Sequence, residues 1–171
     1  SRIGSQVFEG LVRLNASNVS EVLPAVASGW KLDEAGVVYT FKLREDVYFH
    51  DDACFPDGKG RKVTANDFKK CCELICALGG ATPAYEFLFK NKVAGATEYS
   101  AAAAKGKPGF DLEGVKALDD YTLQITLKEP FSVFLFRLTT PAGYVFPMEA
   151  YEQYGQSLTV GSGPFQVSAY N

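Results

Sequence analysis

The sequence predicts an α+β domain in which an antiparallel sheet is covered by helices, and three observations carry that reading. Apolar residues alternate with polar ones at Tyr39, Phe41 and Leu43, and again at Leu123, Ile125 and Leu127, the period of half-buried strands. Phe68, Cys71, Cys72 and Ile75 recur at the spacing of one apolar helix face. Strands and helices follow one another without the βαβ regularity of a parallel sheet.

Taken in order, the strand at residues 39–43 is followed by a second that ends near Phe49. The stretch from His50 to Lys62, rich in Gly, Pro and charge, reads as a surface loop. Thr64 stands three residues before Asp67 and opens a helix from Ala65 to Leu78, its hydroxyl and the carboxylate serving amides that the first turn leaves unpaired. Gly79-Gly80 ends that helix. Shorter helices are expected at Ala84 to Phe89, Ala96 to Ala104, Phe131 to Leu138 behind Pro130, and Met148 to Tyr154 between Pro147 and Gly155. Residues 114–118 and 122–128 form a hairpin across Asp119-Asp120, so the pairing is antiparallel. Leu123, Ile125 and Leu127 are expected to face the same core as Phe68 and Ile75. Gly161-Ser162-Gly163-Pro164 lacks the continuation of a phosphate loop and reads as a tight turn into a strand.

With 171 residues, 47% of them hydrophobic, the chain has material for one core, and residues 1–171 read as a single domain. A net charge of -3 offers no basic footprint, which argues against nucleic acid as a partner. The most apolar stretch, Phe131 to Leu138, is interrupted by Ser132 and Arg137 and is too short to span a bilayer. Cys71, Cys72 and Cys76 have no CxxC spacing, and the single histidine, His50, lies far upstream. They read as reduced core residues, with no metal and no cofactor implied. Whether Cys54 reaches one of them is a matter for geometry.

His50, Asp51 and Asp52 form the most enzyme-like cluster, since a carboxylate can orient an imidazole as a general base or join it around a metal. Against catalysis stand the absence of a Gly-x-Ser-x-Gly elbow and of HExxH, and the rarity with which adjacent loop residues converge; a solvated turn is the competing reading. Asn15-Ala16-Ser17 and Asn18-Val19-Ser20 match the glycosylation sequon, a pattern short enough to arise by chance. Trp30, Tyr39 and Phe49 are either a ligand-stacking wall or core residues, and alternation favours the core.

Several segments, in order along nearly the whole chain, resemble the oligopeptide/dipeptide-binding family of extracellular solute-binding proteins. They are Val7-Phe8-Glu9-Gly10-Leu11-Val12, Leu23 to Trp30, Tyr39 to Arg44, Phe49-His50-Asp51, Val63 to Phe68, Val115 to Leu123, Glu149 to Gly155, and Val160 to Phe165. The loop Asp52 to Lys62 departs from the family's shorter turn. The resemblance implies the capture component of an ABC importer, a peptide or similar small solute as ligand, permease subunits as partners, a periplasmic or lipoprotein location, and no catalysis; a peptide sensor or chaperone-like binder of the same fold and a hydrolase using His50 with Asp51 are the other readings. It also implies that Ser1 to Asn171 is the small second domain of a three-domain protein, with its two ends close together beside an apolar patch left by the neighbouring domain. Relatives carry a ligand-touching aromatic after a Ser-Pro. Thr82-Pro83-Ala84-Tyr85 has Ala84 in that place and Tyr85 one position later, so Tyr85 is the candidate ligand contact, with packing of the following helix as its other reading. As one wall of a cleft, the isolated domain is expected to bind peptide on the order of millimolar or weaker. The ligand itself is not legible, because relatives take peptides, nickel, haem precursors and oligosaccharides on the same architecture.

Overall fold

A computed structural model of the chain describes residues 6–155 and 165–169. Its organising element is a four-stranded antiparallel sheet. The order is β4 (Ala27–Leu32), β5 (Val38–Leu43), β8 (Thr122–Thr126), β7 (Val115–Asp119). The two strands with the clearest alternation, β5 and β8, are the central pair, in a register that sets Phe41 opposite Leu123 and Tyr39 opposite Ile125. One face is thereby apolar, and the polar residues between point the other way.

Helix α1 (Ala65–Leu78) covers that face. Phe68 and Ile75 of α1 share one apolar void of about 20 Å³ with Leu123 and Ile125, and Leu127 is buried in the same core. Asp67 holds the start of α1, accepting the Thr64 amide at 2.8 Å, and Gly79 ends it in a left-handed conformation (φ 54°). The hairpin β7–β8 turns at Asp119-Asp120, where the Asp119 carboxylate accepts the Tyr121 amide at 2.9 Å. Helices α2 (Ala96–Ala104) and α4 (Met148–Tyr154) match the expected boundaries.

Two helical expectations change. Residues 85–89 form a π-helical turn, closed by the Lys90 amide on the Tyr85 carbonyl at 2.9 Å. The helix expected over Phe131 to Leu138 shrinks to α3 (Phe134–Arg137). Phe131 closes a tight turn on Phe134, and the Thr139 and Thr140 hydroxyls bond back to the Phe136 and Arg137 carbonyls, so the segment is capped at both ends before it can lengthen.

Two smaller sheets flank the first. The hairpin of β2 (Val12–Asn15) and β3 (Asn18–Pro24) turns on the asparagine side chains of both sequons, which accept the amides of Ser17 and Ser20. In the other sheet β9 (Val167–Ala169) lies between β1 (Gln6–Phe8) and β6 (Val47–Phe49), with Gln6 opposite Ala169. The expected turn at Gly161 to Pro164 and the chain ends Ser1 and Asn171 lie outside the described residues.

Cys71 and Cys76 are buried, Cys72 and Cys54 half-buried, and all four are free thiols. Desolvation pushes Cys76 up to about 12 and Cys71 well above its usual value, so both stay protonated, apolar fillers. Tyr39 and Phe49 are core residues and Trp30 packs partly buried with its ring 6.3 Å from that of Phe41, which leaves no aromatic wall for a ligand there. Phe41 carries the centre of the packing. Phe41→Ala is expected to cost about 3–5 kcal/mol, against less than about 0.5 kcal/mol for the exposed Val19→Ala, both read from urea denaturation midpoints. A loss below about 1 kcal/mol for Phe41→Ala would contradict this packing scheme.

Candidate functional site

Open concavities with polar linings occur among the described residues, the first of them at the Gly10 crossing. The first, of about 290 Å³, is lined by residues that include Val7, Glu9, Gly10, Arg13, Thr139 and Tyr144. It exists because three stretches of backbone cross at residues 9–11. Val145 donates to the Glu9 carbonyl at 2.8 Å, Val26 to the Gly10 carbonyl at 3.0 Å, and Ala25 and Ala27 both to that of Leu11 at 3.1 Å. Gly10 is pressed so close that a Cβ would stand 3.1 Å from the Gly143 carbonyl.

Three groups give the concavity its character. Glu9 offers a carboxylate; burial first, then that nearby carboxylate, raises Tyr144 to about 12. Arg13, on β2, supplies a cation on the same lining. Val7 of β1 is 54% exposed, and among the described residues β1 pairs only with β9, leaving its outer edge unpaired. An acid, a base and an open strand edge suit an extended, zwitterionic main chain.

The second concavity, of about 250 Å³, holds the enzyme-like cluster His50, Asp51 and Asp52 beside Tyr154, Phe165 and Gln166. Here the carboxylates hold the loop together. Asp51 accepts the Gly60 amide at 2.9 Å, and Asp52 accepts the Cys54 amide at 2.8 Å and the Tyr154 hydroxyl. The loop is anchored rather than a bare surface excursion, because Phe55 is buried against Phe49. At its far end Arg61 forks onto Asp67 of α1 (2.7 and 2.9 Å) and Glu149 of α4 (2.7 and 2.9 Å) and lies over the Phe49 ring. Arg61 is the main reason that Glu149 sits below the usual carboxylate range.

Tyr85 opens the π-helical turn and is 6% exposed, lining neither open concavity. Phe87, two residues on, is 38% exposed. Sequence reading had no signal for Glu9 and Tyr144 as a pair, since they meet only through the crossing at Gly10.

Residues 21–171 match the model of the bacterial extracellular solute-binding proteins, family 5 middle region. The chain belongs to that family. It is 34% identical over 159 residues to the periplasmic oligopeptide-binding protein OppA of Escherichia coli K12, covering 93% of this chain and 26% of that protein. To the dipeptide-binding protein DppE of Bacillus subtilis 168 it is 30% identical over 174 residues, covering 97% and 28%. The structure of Listeria monocytogenes OppA bound to peptide superposes with a TM-score of 0.70 at 28% identity, over 90% of this chain and 27% of that one. The family-5 chain described here thus spans about a quarter of the length of these relatives. Among its described residues no helix is long and apolar enough to cross a membrane.

In the second concavity the hydrogen bond from Tyr154 to Asp52, more than burial, raises the phenol to about 12. Asp52→Asn is expected to bring Tyr154 back toward 10 in an absorbance titration, because a neutral amide no longer favours the protonated phenol. An unchanged titration would show that Asp52 does not govern this phenol.

Proposed function

We propose that this chain is one domain of a larger, three-domain substrate-binding protein that captures peptides outside the inner membrane and hands them to the permease of an ABC importer. The single observation that carries the reading is the first concavity. Glu9 and Arg13 line it with opposite charges, and β1 beside them has one edge unpaired among the described residues. Peptides offer the complement: an ammonium, a carboxylate, and main-chain N–H and C=O groups that extend a sheet edge. Relatives named for oligopeptide and dipeptide binding support the same ligand class. A periplasmic or lipoprotein-anchored location is part of the proposal, as is the absence of catalysis.

One wall alone leaves most of a ligand in water, so binding energy depends on enclosure by the rest of the protein. Tyr85, 6% exposed, belongs to this proposal as a contact made through its small open surface. Tyr85→Phe tests whether its hydroxyl takes part.

Calorimetric titration with a mixed di- to pentapeptide library is the direct check. The 171-residue chain is expected to bind on the order of millimolar or weaker, and the longer protein at least about a hundredfold more tightly. Glu9→Gln in the longer protein is expected to weaken binding by roughly tenfold, the loss of one charge-assisted contact. Saturable micromolar binding by the 171-residue chain would contradict the one-wall reading, and no peptide binding by the longer protein would contradict the function.

A further inference from the structure

A second charged surface lies beside the concavity and is used by neither the core nor the site above. Arg137, the last residue of α3, has its guanidinium over two rings, 4.5 Å from the centre of Phe87 and 5.0 Å from that of Phe131. Its Nη1 donates to the Phe87 carbonyl at 2.7 Å. Lys92 approaches the same Phe131 ring at 6.0 Å, with its Nζ donating to the carbonyls of Glu86 (2.8 Å) and Lys90 (3.3 Å).

Among the described residues neither cation has a carboxylate partner, in a chain whose net charge is -3. Ring stacking uses the faces of a guanidinium and leaves its edges, where the N–H donors are. One donor is taken by the Phe87 carbonyl; the others have no protein partner among the described residues. Held by two rings and a carbonyl, the side chain has already lost much of the freedom that ligand binding would otherwise cost. Phe87, Val133 and Phe136 are exposed around it, a rim for an apolar body.

We propose that Arg137, with Lys92 and the rim of Phe87 and Phe136, binds a peptide carboxylate carried next to an apolar residue. A planar fork with free edge donors suits a carboxylate in two-point contact, and the rings suit the neighbouring side chain. The inference deepens the peptide reading and rests on it for the source of the carboxylate. Thr139, two residues beyond Arg137 in the chain, lines the concavity.

Three probes test this by amide chemical-shift mapping on the 171-residue chain: N-acetyl-phenylalanine, its C-terminal amide, and N-acetyl-glutamyl-phenylalanine amide. At least one carboxylate probe is expected to shift the amides of Phe87, Phe136 and Arg137 with a Kd on the order of millimolar, and the uncharged amide to bind about fivefold or more weakly. A response to the free acid alone assigns the site to a C-terminus, and a response to the glutamyl probe alone to an acidic side chain. Arg137→Met keeps the packed stem and is expected to remove the preference for charge with the urea midpoint little changed, while Arg137→Lys keeps part of it. Phe136→Ala, at an exposed position, is expected to weaken the phenylalanine-bearing acids and serves if Arg137→Met does not fold. Equal binding of acid and amide, or an Arg137→Met variant that keeps the preference, overturns the site. Shifts at residues 7–13 without any at Arg137 overturn it while leaving the peptide reading intact; shifts at Arg137 alone support it, and the peptide reading then stands or falls on the calorimetry of the longer protein.

Discussion

The backbone crossing at Gly10 is the constraint on which the concavity lined by Glu9, Arg13 and Tyr144 depends. Segments 9–11, 25–27 and 145 are joined there by main-chain hydrogen bonds of 2.8–3.1 Å, and a Cβ on Gly10 would stand 3.1 Å from the Gly143 carbonyl, so a larger residue would push the strands apart by a few tenths of an ångström. Main-chain bonds do not rely on rotamers, so the positions of Glu9 and Tyr144 follow from the path of the chain itself. The same crossing lies beside the pairing of β1 with β9 and leads the chain through Ala25 into β4, so the lining of the concavity is continuous with the core.

A second constraint ties the long loop to the helices. Arg61 spans Asp67, which is buried at the start of α1, and Glu149 in the first turn of α4. Carboxylates at the two helix starts meet the positive ends of the helix dipoles, and the guanidinium between them offsets their mutual repulsion. Glu149 is held below the usual carboxylate range, so its contribution is present above pH 4.5 and is lost as the pH falls through its lowered value in the folded chain. The loop therefore acts as a brace between α1 and α4, and its own aromatic anchor, Phe55, seals it against β6.

What the sequence made legible was local. Alternation in β5 and β8, the Asp119 turn and the Thr64–Asp67 start of α1 each place their pattern within a few residues, and each is present in the structure. Strand β3 was invisible because it is mostly exposed and has no apolar face to betray it; its pairing with β2 makes it a strand. Arg61 and Glu149 stand 88 residues apart, so charge patterning along the chain gave no hint of their contact. The resemblance names Tyr85 but not its setting: the π-helical turn leaves Tyr85 mostly buried and Phe87, two residues on, exposed. The family was legible because weak segments in a fixed order add up over a whole chain, whereas a ligand contact rests on one side chain whose direction the motif does not set.

If the face built at Gly10 is a wall of the ligand cleft, as proposed, a bound peptide lies within crosslinking reach of it. A tripeptide carrying a photoreactive side chain, bound to the longer protein and irradiated, would be mapped by mass spectrometry of the digested adduct. Adducts are expected within residues 7–13 or at Thr139 and Tyr144, suppressed by excess unlabelled peptide. Suppressible adducts confined to other parts of the protein, with none on these residues, would contradict it.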